Sequence, residues 1–119
     1  MAIEYFSHSD DNWDVYLRFK EVINDGEYVL VYFSAPWCTP CKKVKTVVEQ
    51  CVQKFPNFIF IEVDYDSCND IARFSEVYGL PAIKIYHNGG LMIFHEGAIT
   101  LPKLEACMQK VISSFPGIS

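Results

Sequence analysis

Six consecutive apolar residues, Tyr28–Phe33, leave this chain few folds to adopt. An apolar run of that length, without polar interruption, is typical of a strand that is buried on both faces in a parallel sheet. Between Cys41 and Phe55 the apolar residues instead recur at helical spacing, with lysines and other polar residues between them. This spacing predicts an amphipathic helix directly after the strand.

Strands and helices alternate along the rest of the first two thirds of the chain. We predict a short strand at Ala2–Phe6, and a helix that is capped by Ser9–Asp11 and ends at Asn24–Gly26. Four residues of that helix fall at helical spacing: Trp13, Tyr16, Leu17 and Lys20. A second buried strand is predicted at Phe58–Val63, followed by a second amphipathic helix at Asp66–Tyr78. The inward residues of this helix would be Ile71, Ala72 and Tyr78.

The last third of the chain has a different pattern. Ala82–His87 and Leu91–Glu96 flank Asn88-Gly89-Gly90, and Asn-Gly supplies the positive φ angles of a tight turn, so a β-hairpin is predicted. Thr100 can cap a final helix with Pro102 in its first turn, where the missing N–H costs little. The inward stripe of this helix is Leu104, Cys107, Met108, Val111 and Ile112. The order of elements predicts a mixed sheet with helices on both faces.

Size and charge set further limits. With 119 residues and no repeat or linker, residues 1–119 are expected to form a single domain. The net charge of −5 argues against nucleic-acid binding, which needs a basic face. The first residues have no basic start, and no apolar run reaches the length of a membrane span, so we expect neither a signal peptide nor a membrane anchor. These features predict a soluble, cytoplasmic protein.

The candidate chemistry lies in two of the five cysteines. Cys38 and Cys41 are two residues apart, at the predicted junction between the buried strand and the helix. Free N–H groups and the helix macrodipole stabilise an anion there, which lowers the pKa of a cysteine and favours the reactive thiolate. Cys38, expected to be the more exposed, would attack a disulfide, and Cys41 would resolve the mixed disulfide. Pro40 fixes the backbone before Cys41, and Lys42 adds positive charge nearby.

Two other interpretations of the pair are two buried structural cysteines and half of a zinc site. A tetrahedral zinc site needs four ligands, and the sequence contains no second pair of this kind. The three histidines are scattered and are not at metal-ligand spacing: His8, His87 and His95. Redox chemistry is therefore favoured, and no metal ligands are expected.

At these residues the chain resembles the thioredoxin family. The resemblance covers essentially the whole chain and rests on Phe33–Lys42 (Phe-Ser-Ala-Pro-Trp-Cys-Thr-Pro-Cys-Lys), Gly79–Ala82 (Gly-Leu-Pro-Ala), and Asn88-Gly89-Gly90 followed by Glu96-Gly97-Ala98. It implies an α/β thioredoxin fold, with a central mixed five-stranded sheet flanked by four helices. It also implies reduction of protein disulfides without a bound cofactor, through a redox-active Cys38–Cys41 disulfide that an NADPH-dependent thioredoxin reductase regenerates.

The resemblance also implies roles for residues around the pair. Trp37 matches the residue that flanks the active site and packs beside the disulfide. Pro81 matches the family's cis-proline, which faces the cysteines and lets the preceding backbone, here Leu80, pair with a substrate strand. Gly97 matches a glycine beside the substrate groove, and Gly79 either shares that role or ends a helix.

Three positions depart from the family pattern. Tyr32 stands where many members have a buried aspartate, and a phenol with a reference pKa of about 10 cannot accept a proton near neutral pH. We therefore expect Cys41 to be deprotonated by water or another group, with a slower resolving step. Thr39 replaces the usual glycine and should tune the reduction potential. Thr46 replaces a helix-kinking proline, which predicts a straighter helix.

The remaining cysteines have no assigned chemistry. Cys51 and Cys107 lie on inward helical stripes and are expected to be buried. Cys68 opens the third helix, where we expect it to be exposed, with a regulatory or dimer-forming role as an alternative. His95 and Asp64 receive no catalytic task.

These observations favour a monomeric enzyme that reduces disulfides in other proteins, with thioredoxin reductase as a second partner. One alternative is a reductase dedicated to a single partner or pathway. Another is a binding module that docks proteins in its groove, with incidental redox activity.

Overall fold

The structure, a computed structural model, describes residues 4–6 and 13–114. The strands in this part of the chain are β1 (Glu4–Phe6), β2 (Tyr28–Ser34), β3 (Ile59–Asp64), β4 (Ala82–His87) and β5 (Gly90–Glu96). The helices are α1 (Trp13–Asp25), α2 (Thr39–Lys54), α3 (Asn69–Phe74) and α4 (Leu101–Ser114).

The described strands form one five-stranded sheet in the order β1-β3-β2-β4-β5. The central strand, β2, is parallel to β3 on one side and antiparallel to β4 on the other. At the edges, β1 is parallel to β3 and β5 is antiparallel to β4. The predicted fold class, a mixed five-stranded sheet with four helices, is confirmed.

Strand β2 separates two apolar layers because successive side chains of a strand point to opposite faces. One layer contains Tyr28, Leu30 and Tyr32 together with residues of α2 and α4, among them Val44, Val48, Cys51, Leu104 and Met108. The other contains Val29, Val31 and Phe33 with residues of α1 and α3, among them Phe19, Ile23 and Ile71. Every residue of β2 is buried, as its apolar run predicts. Each large apolar side chain fully buried in this way contributes about 1.5–3 kcal/mol, so the end of β2 is firmly positioned.

Helix α3 is shorter than the predicted Asp66–Tyr78. It spans Asn69–Phe74, and Glu76 then adopts a φ of 56°, in the left-handed region. Because this residue turns the chain out of the helix, Tyr78 no longer follows the helical face. Tyr78 is 76% exposed rather than inward as predicted.

Helix α1 ends at Asp25, within the predicted Asn24–Gly26. Phe19 and Ile23, one helical turn apart, are buried, and Tyr16 packs against the same layer, whereas Leu17 is exposed. The predicted cap at Ser9–Asp11 and the first residues of the predicted strand, Ala2 and Ile3, lie outside the described residues.

The C-terminal hairpin and helix form as predicted. Asn88 and Gly89, between β4 and β5, have φ angles of 48° and 87°, which the Asn-Gly turn accommodates. At the start of α4 the N–H of Leu104 donates to the Thr100 carbonyl at 3.0 Å, and the N–H of Lys103 lies 3.4 Å from Thr100 Oγ1. None of the helices in residues 13–114 combines the length and apolar character that crossing a membrane requires.

Candidate active site

Cys38 and Cys41 lie where β2 leads into α2, as predicted. Cys38 is the N-cap residue of α2, in an extended conformation, and Cys41 lies in the first turn of that helix. The two cysteines form a disulfide, with their Cα atoms 5.3 Å apart. The backbone N–H of Cys41 donates to Cys38 Sγ at 3.2 Å. The sulfur of Cys38 thus takes the place of a capping side chain and receives one of the free N–H groups of the helix end.

Both sulfurs are more enclosed than the sequence suggests. Cys38 is 4% exposed and Cys41 is 2% exposed, so the predicted order holds but Cys38 is not an exposed side chain in the disulfide state. The physical reason is that the disulfide and the cap draw Cys38 against the first turn of α2, into the same apolar cluster as Ala35 and Leu80. A group that reacts with the disulfide must therefore approach the small exposed part of Cys38.

Trp37 forms the exposed rim beside the disulfide. It is 65% exposed, and its indole Nε1–H donates to Asp66 Oδ2 at 2.8 Å. A large apolar side chain is thereby held in place at the surface by a residue from the loop after β3. Asp66 was missed in the sequence because nothing local connects it to Trp37, 29 residues earlier.

The segment before β4 lies at the same end of the sheet. Pro81 follows a cis peptide bond with Leu80 and precedes Ala82, which is in register with Phe33 near the end of β2. The N–H of Gly97 donates to the Pro81 carbonyl at 2.8 Å. Gly97 has a φ of 97°, which an L side chain rarely adopts, so backbone conformation explains the glycine there.

The remaining motif residues lie on the exposed start of α2. Thr39, Pro40 and Lys42 are all exposed, and Pro40 occupies the first turn, as predicted. Thr46 lies further along, with its hydroxyl 3.4 Å from the Lys42 carbonyl within an unbroken helix. A straighter helix because of Thr46 stays a prediction.

Tyr32 lies beneath the pair, on the inner side of the disulfide. It is buried, and its hydroxyl donates to the backbone carbonyl of Cys41. Burial, followed by the nearby charge of Glu62, raises the pKa of Tyr32 well above its ordinary value. Tyr32 is therefore a neutral phenol that supports the first turn of α2 through its backbone.

A carboxylate that the sequence analysis missed lies next to Tyr32. Glu62 of β3 is 6% exposed; Ser34 Oγ donates to its Oε2 at 2.9 Å, and Lys45 Nζ lies 3.6 Å from its Oε1. Tyr32 and Glu62 are in register on neighbouring strands, so their side chains share the sheet face toward α2. A signal was present: a charged residue inside an otherwise apolar strand is rarely buried without a partner.

A cavity of about 210 Å³ connects this carboxylate with the disulfide. The residues that line it come from β2, the turn after it, α2 and β3: Tyr32, Ser34, Ala35, Pro36, Cys41, Lys42, Lys45, Glu62 and Asp64. Pro36 and Lys42 are exposed, so the cavity reaches the surface. Cys41, which also belongs to the apolar cluster, thus shares this cavity with Glu62 and other polar side chains.

The three other cysteines lie outside the disulfide: Cys51, Cys68 and Cys107. Cys51 is buried as predicted, and burial together with the charge of Glu105 raises its pKa to about 11. Cys107 is only partly buried, because its side of α4 is not fully covered. Cys68 is fully buried rather than exposed, since it packs in the layer that contains Ile71. The proposed regulatory or dimer-forming role for Cys68 therefore lacks the exposure on which it depended.

The other polar candidates have structural contacts. The ring Nε2 of His95 lies 3.0 Å from the Ala98 carbonyl, and Asp64 accepts a hydrogen bond from Ser67 Oγ at 2.9 Å. Within the described ranges no group of His, Cys, Asp and Glu side chains is arranged to hold a metal ion.

A disulfide at the N-terminus of a helix, at the end of the central strand of a mixed sheet, defines a dithiol–disulfide redox protein. A family model described as Thioredoxin matches residues 7–110. Thioredoxin from Oryctolagus cuniculus is 38% identical over 96 residues, which cover 79% of this chain and 90% of the relative.

Solved structures of thioredoxins share the same architecture. The oxidised thioredoxin from Plasmodium falciparum aligns with a TM-score of 0.76 and 25% identity, over 92% of this chain and 98% of that chain. Mitochondrial thioredoxin 3 from Saccharomyces cerevisiae, in its oxidised form, aligns with a TM-score of 0.78 and 25% identity, over 91% and 94% of the two chains. The chain belongs to the thioredoxin family and is a thiol–disulfide oxidoreductase.

Proposed function

We propose that this protein reduces disulfides in other proteins, with Cys38 as the attacking thiolate and Cys41 as the resolving thiol. The observation that carries this assignment is the hydrogen bond of 3.2 Å from the Cys41 N–H to Cys38 Sγ at the start of α2. The same N–H and the helix dipole stabilise a negative charge on Cys38 once the disulfide is reduced. Cys41, in the first turn of the helix and less exposed, is placed behind it.

The exchange transfers two electrons to the substrate. The Cys38 thiolate attacks one sulfur of the substrate disulfide, the substrate S–S bond breaks, and the other substrate sulfur leaves as a thiolate. Cys41 then loses its proton and attacks Cys38 Sγ. The mixed disulfide breaks, the second substrate sulfur leaves as a thiolate, and the Cys38–Cys41 disulfide forms. Solvent protonates the two substrate thiolates.

The substrate would dock along the rim around Cys38. Trp37, held by Asp66, supplies exposed apolar surface, and large aromatic side chains of this kind often dominate binding. The backbone of Leu80 beside Pro81 would pair with an extended substrate segment, and Gly97 would leave the adjacent backbone uncovered. Thr39, Pro40 and Lys42 form the exposed start of α2 on the other side of the disulfide.

We also propose a cellular setting. An NADPH-dependent thioredoxin reductase would return electrons to the Cys38–Cys41 disulfide, so that the protein carries electrons from NADPH to protein disulfides. Residues 1–119 would act as a single, monomeric thioredoxin domain in the cytoplasm. The thiols of Cys51 and Cys107, which form no disulfide, support a reducing compartment, where free thiols persist.

The proposal is tested by reduction of a soluble protein with an accessible disulfide. The assay is run first with dithiothreitol and then with NADPH and thioredoxin reductase. Wild type should catalyse the reduction with both reductants, whereas Cys38→Ser should lose catalysis, and Cys41→Ser should trap the substrate covalently through Cys38. Catalysis by Cys38→Ser would overturn the assignment.

The same assay separates the alternatives. No catalysis with either reductant would favour a binding module. Catalysis with dithiothreitol that depends strongly on the identity of the substrate protein would favour a reductase dedicated to one partner. Reduction of several unrelated proteins at similar rates would support the general reductase.

A further inference from the structure

The proposed exchange leaves one proton without an acceptor. Cys41 must lose its proton before it can attack Cys38, because the thiolate is the nucleophile. Tyr32 is the closest side chain beneath the pair on β2, but its hydroxyl already donates to the Cys41 carbonyl. Burial also raises the pKa of this phenol. Tyr32 therefore stays protonated near neutral pH and does not accept the proton of Cys41.

A buried carboxylate faces the same space. Among the side chains that the structure describes, Glu62 is the buried carboxylate, and it lines the cavity that Cys41 also lines. It is held from two sides: Ser34 Oγ donates to Oε2 at 2.9 Å, and Lys45 Nζ lies 3.6 Å from Oε1. A carboxylate oxygen accepts more than one hydrogen bond, so these contacts leave acceptor positions free.

We propose that Glu62 accepts the proton of Cys41 in the resolving step and returns it when the step runs in reverse. The inference rests on the proposed roles of Cys38 and Cys41. The transfer passes through water in the cavity, whose volume of about 210 Å³ holds several molecules at roughly 30 Å³ each. Glu62 thus supplies from β3 the carboxylate that Tyr32 does not supply from β2.

The step balances in atoms and charge. The S–H bond of Cys41 breaks, and its proton passes to the Glu62 carboxylate. The Cys41 thiolate forms a bond to Cys38 Sγ, and the bond from Cys38 to the substrate sulfur breaks, so that sulfur leaves as a thiolate with the electron pair. Glu62 then releases its proton to solvent through the surface opening at Pro36 and Lys42.

The groups around Glu62 come from three elements of the described chain. Among the described side chains they are Tyr32 and Ser34 of β2, Lys42 and Lys45 of α2, and Asp64 of β3. The charge of Glu49 of α2 acts on the neighbouring Tyr32. Asp64 is the second carboxylate at the cavity. Asp64 differs because it lies at the end of β3 and is only partly buried, whereas Glu62 is 6% exposed.

A chromogenic aromatic disulfide, bis(carboxynitrophenyl) disulfide, separates the two steps. Attack by Cys38 on this reagent releases one coloured thiolate, and attack by Cys41 on the resulting mixed disulfide releases the second. Stopped-flow absorbance then gives both rates as a function of pH. All proteins carry Cys107→Ser, because Cys107 is the partly exposed free thiol among the described residues and would react with the reagent.

Glu62→Gln should leave the first release unchanged and slow the second by about 100-fold at neutral pH, the lower end of typical general-base contributions. The slowed rate should rise with pH, about tenfold per unit, as hydroxide replaces the carboxylate. Asp64→Asn, which removes a charge from the same cavity, should stay within about twofold of wild type. An unchanged second release in Glu62→Gln, or an equal loss in Asp64→Asn, would overturn the proposal.

Glu62→Asp keeps the carboxylate and guards against a folding defect in the glutamine variant. The second release of Glu62→Asp should be slower than that of wild type. Its rate should rise with pH much less steeply than the rate of Glu62→Gln, as is also expected for wild type. A pH slope like that of Glu62→Gln would show that the carboxylate is not the acceptor. If wild type itself releases a single coloured thiolate, the proposed role of Cys41 fails, which is a different result from a failure at Glu62.

Discussion

The two sides of the Cys38–Cys41 disulfide are built in different ways. On the outer side, Trp37 is exposed, Pro81 follows a cis peptide bond, and Gly97 has a positive φ angle. On the inner side, Tyr32 of β2 is a buried phenol, and the buried carboxylate, Glu62, comes from β3. In our proposals the docking surface therefore depends on particular backbone positions, whereas the proton acceptor needs only to face the cavity.

The register of the sheet explains why the carboxylate on the inner side could come from either of two strands. Tyr32 and Glu62 are in register on parallel neighbours, and in-register residues point to the same face. A carboxylate at either position can therefore reach the space beneath Cys41. Pro81 and Gly97 cannot be replaced by residues of a neighbouring strand in this way. Their structural role depends on their own backbone, which forms the hydrogen bond between the Gly97 N–H and the Pro81 carbonyl.

The largest effect is expected from moving the carboxylate from β3 to β2. In a Glu62→Gln background, Tyr32→Asp should recover at least about tenfold of the lost resolving rate, since a carboxylate again faces the cavity. The second coloured release of the chromogenic disulfide measures this rate, and circular dichroism shows whether the protein is folded. A folded double variant as slow as Glu62→Gln alone would contradict the idea that the two strands are interchangeable here.

The outer side is tested by Trp37→Ala. Loss of the exposed indole should lower kcat/KM for a protein disulfide by about tenfold, equivalent to about 1.4 kcal/mol of binding. The rate with the small chromogenic disulfide should barely change, because that reagent does not cover the rim. Leu91→Ala is the matched control, as Leu91 is also exposed but pairs with Tyr86, toward the opposite end of β2 from the cysteines. An equal loss of kcat/KM in Trp37→Ala and Leu91→Ala would show that Trp37 has no specific role in docking.

The smallest effect is expected at Tyr32 itself. Tyr32→Phe removes the hydroxyl that donates to the Cys41 carbonyl, which should cost about 1 kcal/mol of unfolding free energy at neutral pH and change the resolving rate less than twofold. Denaturant unfolding measures the first quantity. A large loss of resolving rate would instead place Tyr32 in proton transfer.

The contribution of Tyr32 to the free energy of unfolding should decrease at high pH. The folded-state pKa of Tyr32 is raised, so its contribution is fully present below about pH 10, the ordinary tyrosine value, and is lost as pH rises above it. Wild type should lose up to about 1.4 kcal/mol per pH unit from this group, whereas Tyr32→Phe should not. The stability gap between the two proteins should therefore narrow above pH 10, and a constant gap would contradict the assigned environment.

Sequence patterns predicted most of the fold because they are local. The apolar run of β2, the helical spacing of α2 and the Asn-Gly turn each determine a single element. The errors lie where tertiary structure overrides local pattern. A left-handed residue at Glu76 turns Tyr78 outward, and packing under the sheet buries Cys68.

The site divides in the same way. The pair Cys38 and Cys41 was predictable, because strand, spacing and helix start are adjacent in sequence. Glu62 and Asp66 were not predicted, because both come from a distant part of the chain. Sheet register places Glu62 beside Tyr32, and a single hydrogen bond joins Asp66 to Trp37. The charged residue inside the apolar β3 run was the one local sign of Glu62.

The central claim is that the start of α2 holds the Cys38 sulfur as a thiolate near neutral pH. Thiolate absorbance of reduced Cys41→Ser, with Cys38→Ser/Cys41→Ser as the baseline, measures this ionisation directly across pH. The account predicts a midpoint clearly below about 8.5, the ordinary cysteine value. A midpoint at or above that value would show that the helix end does not activate Cys38, and would contradict the account.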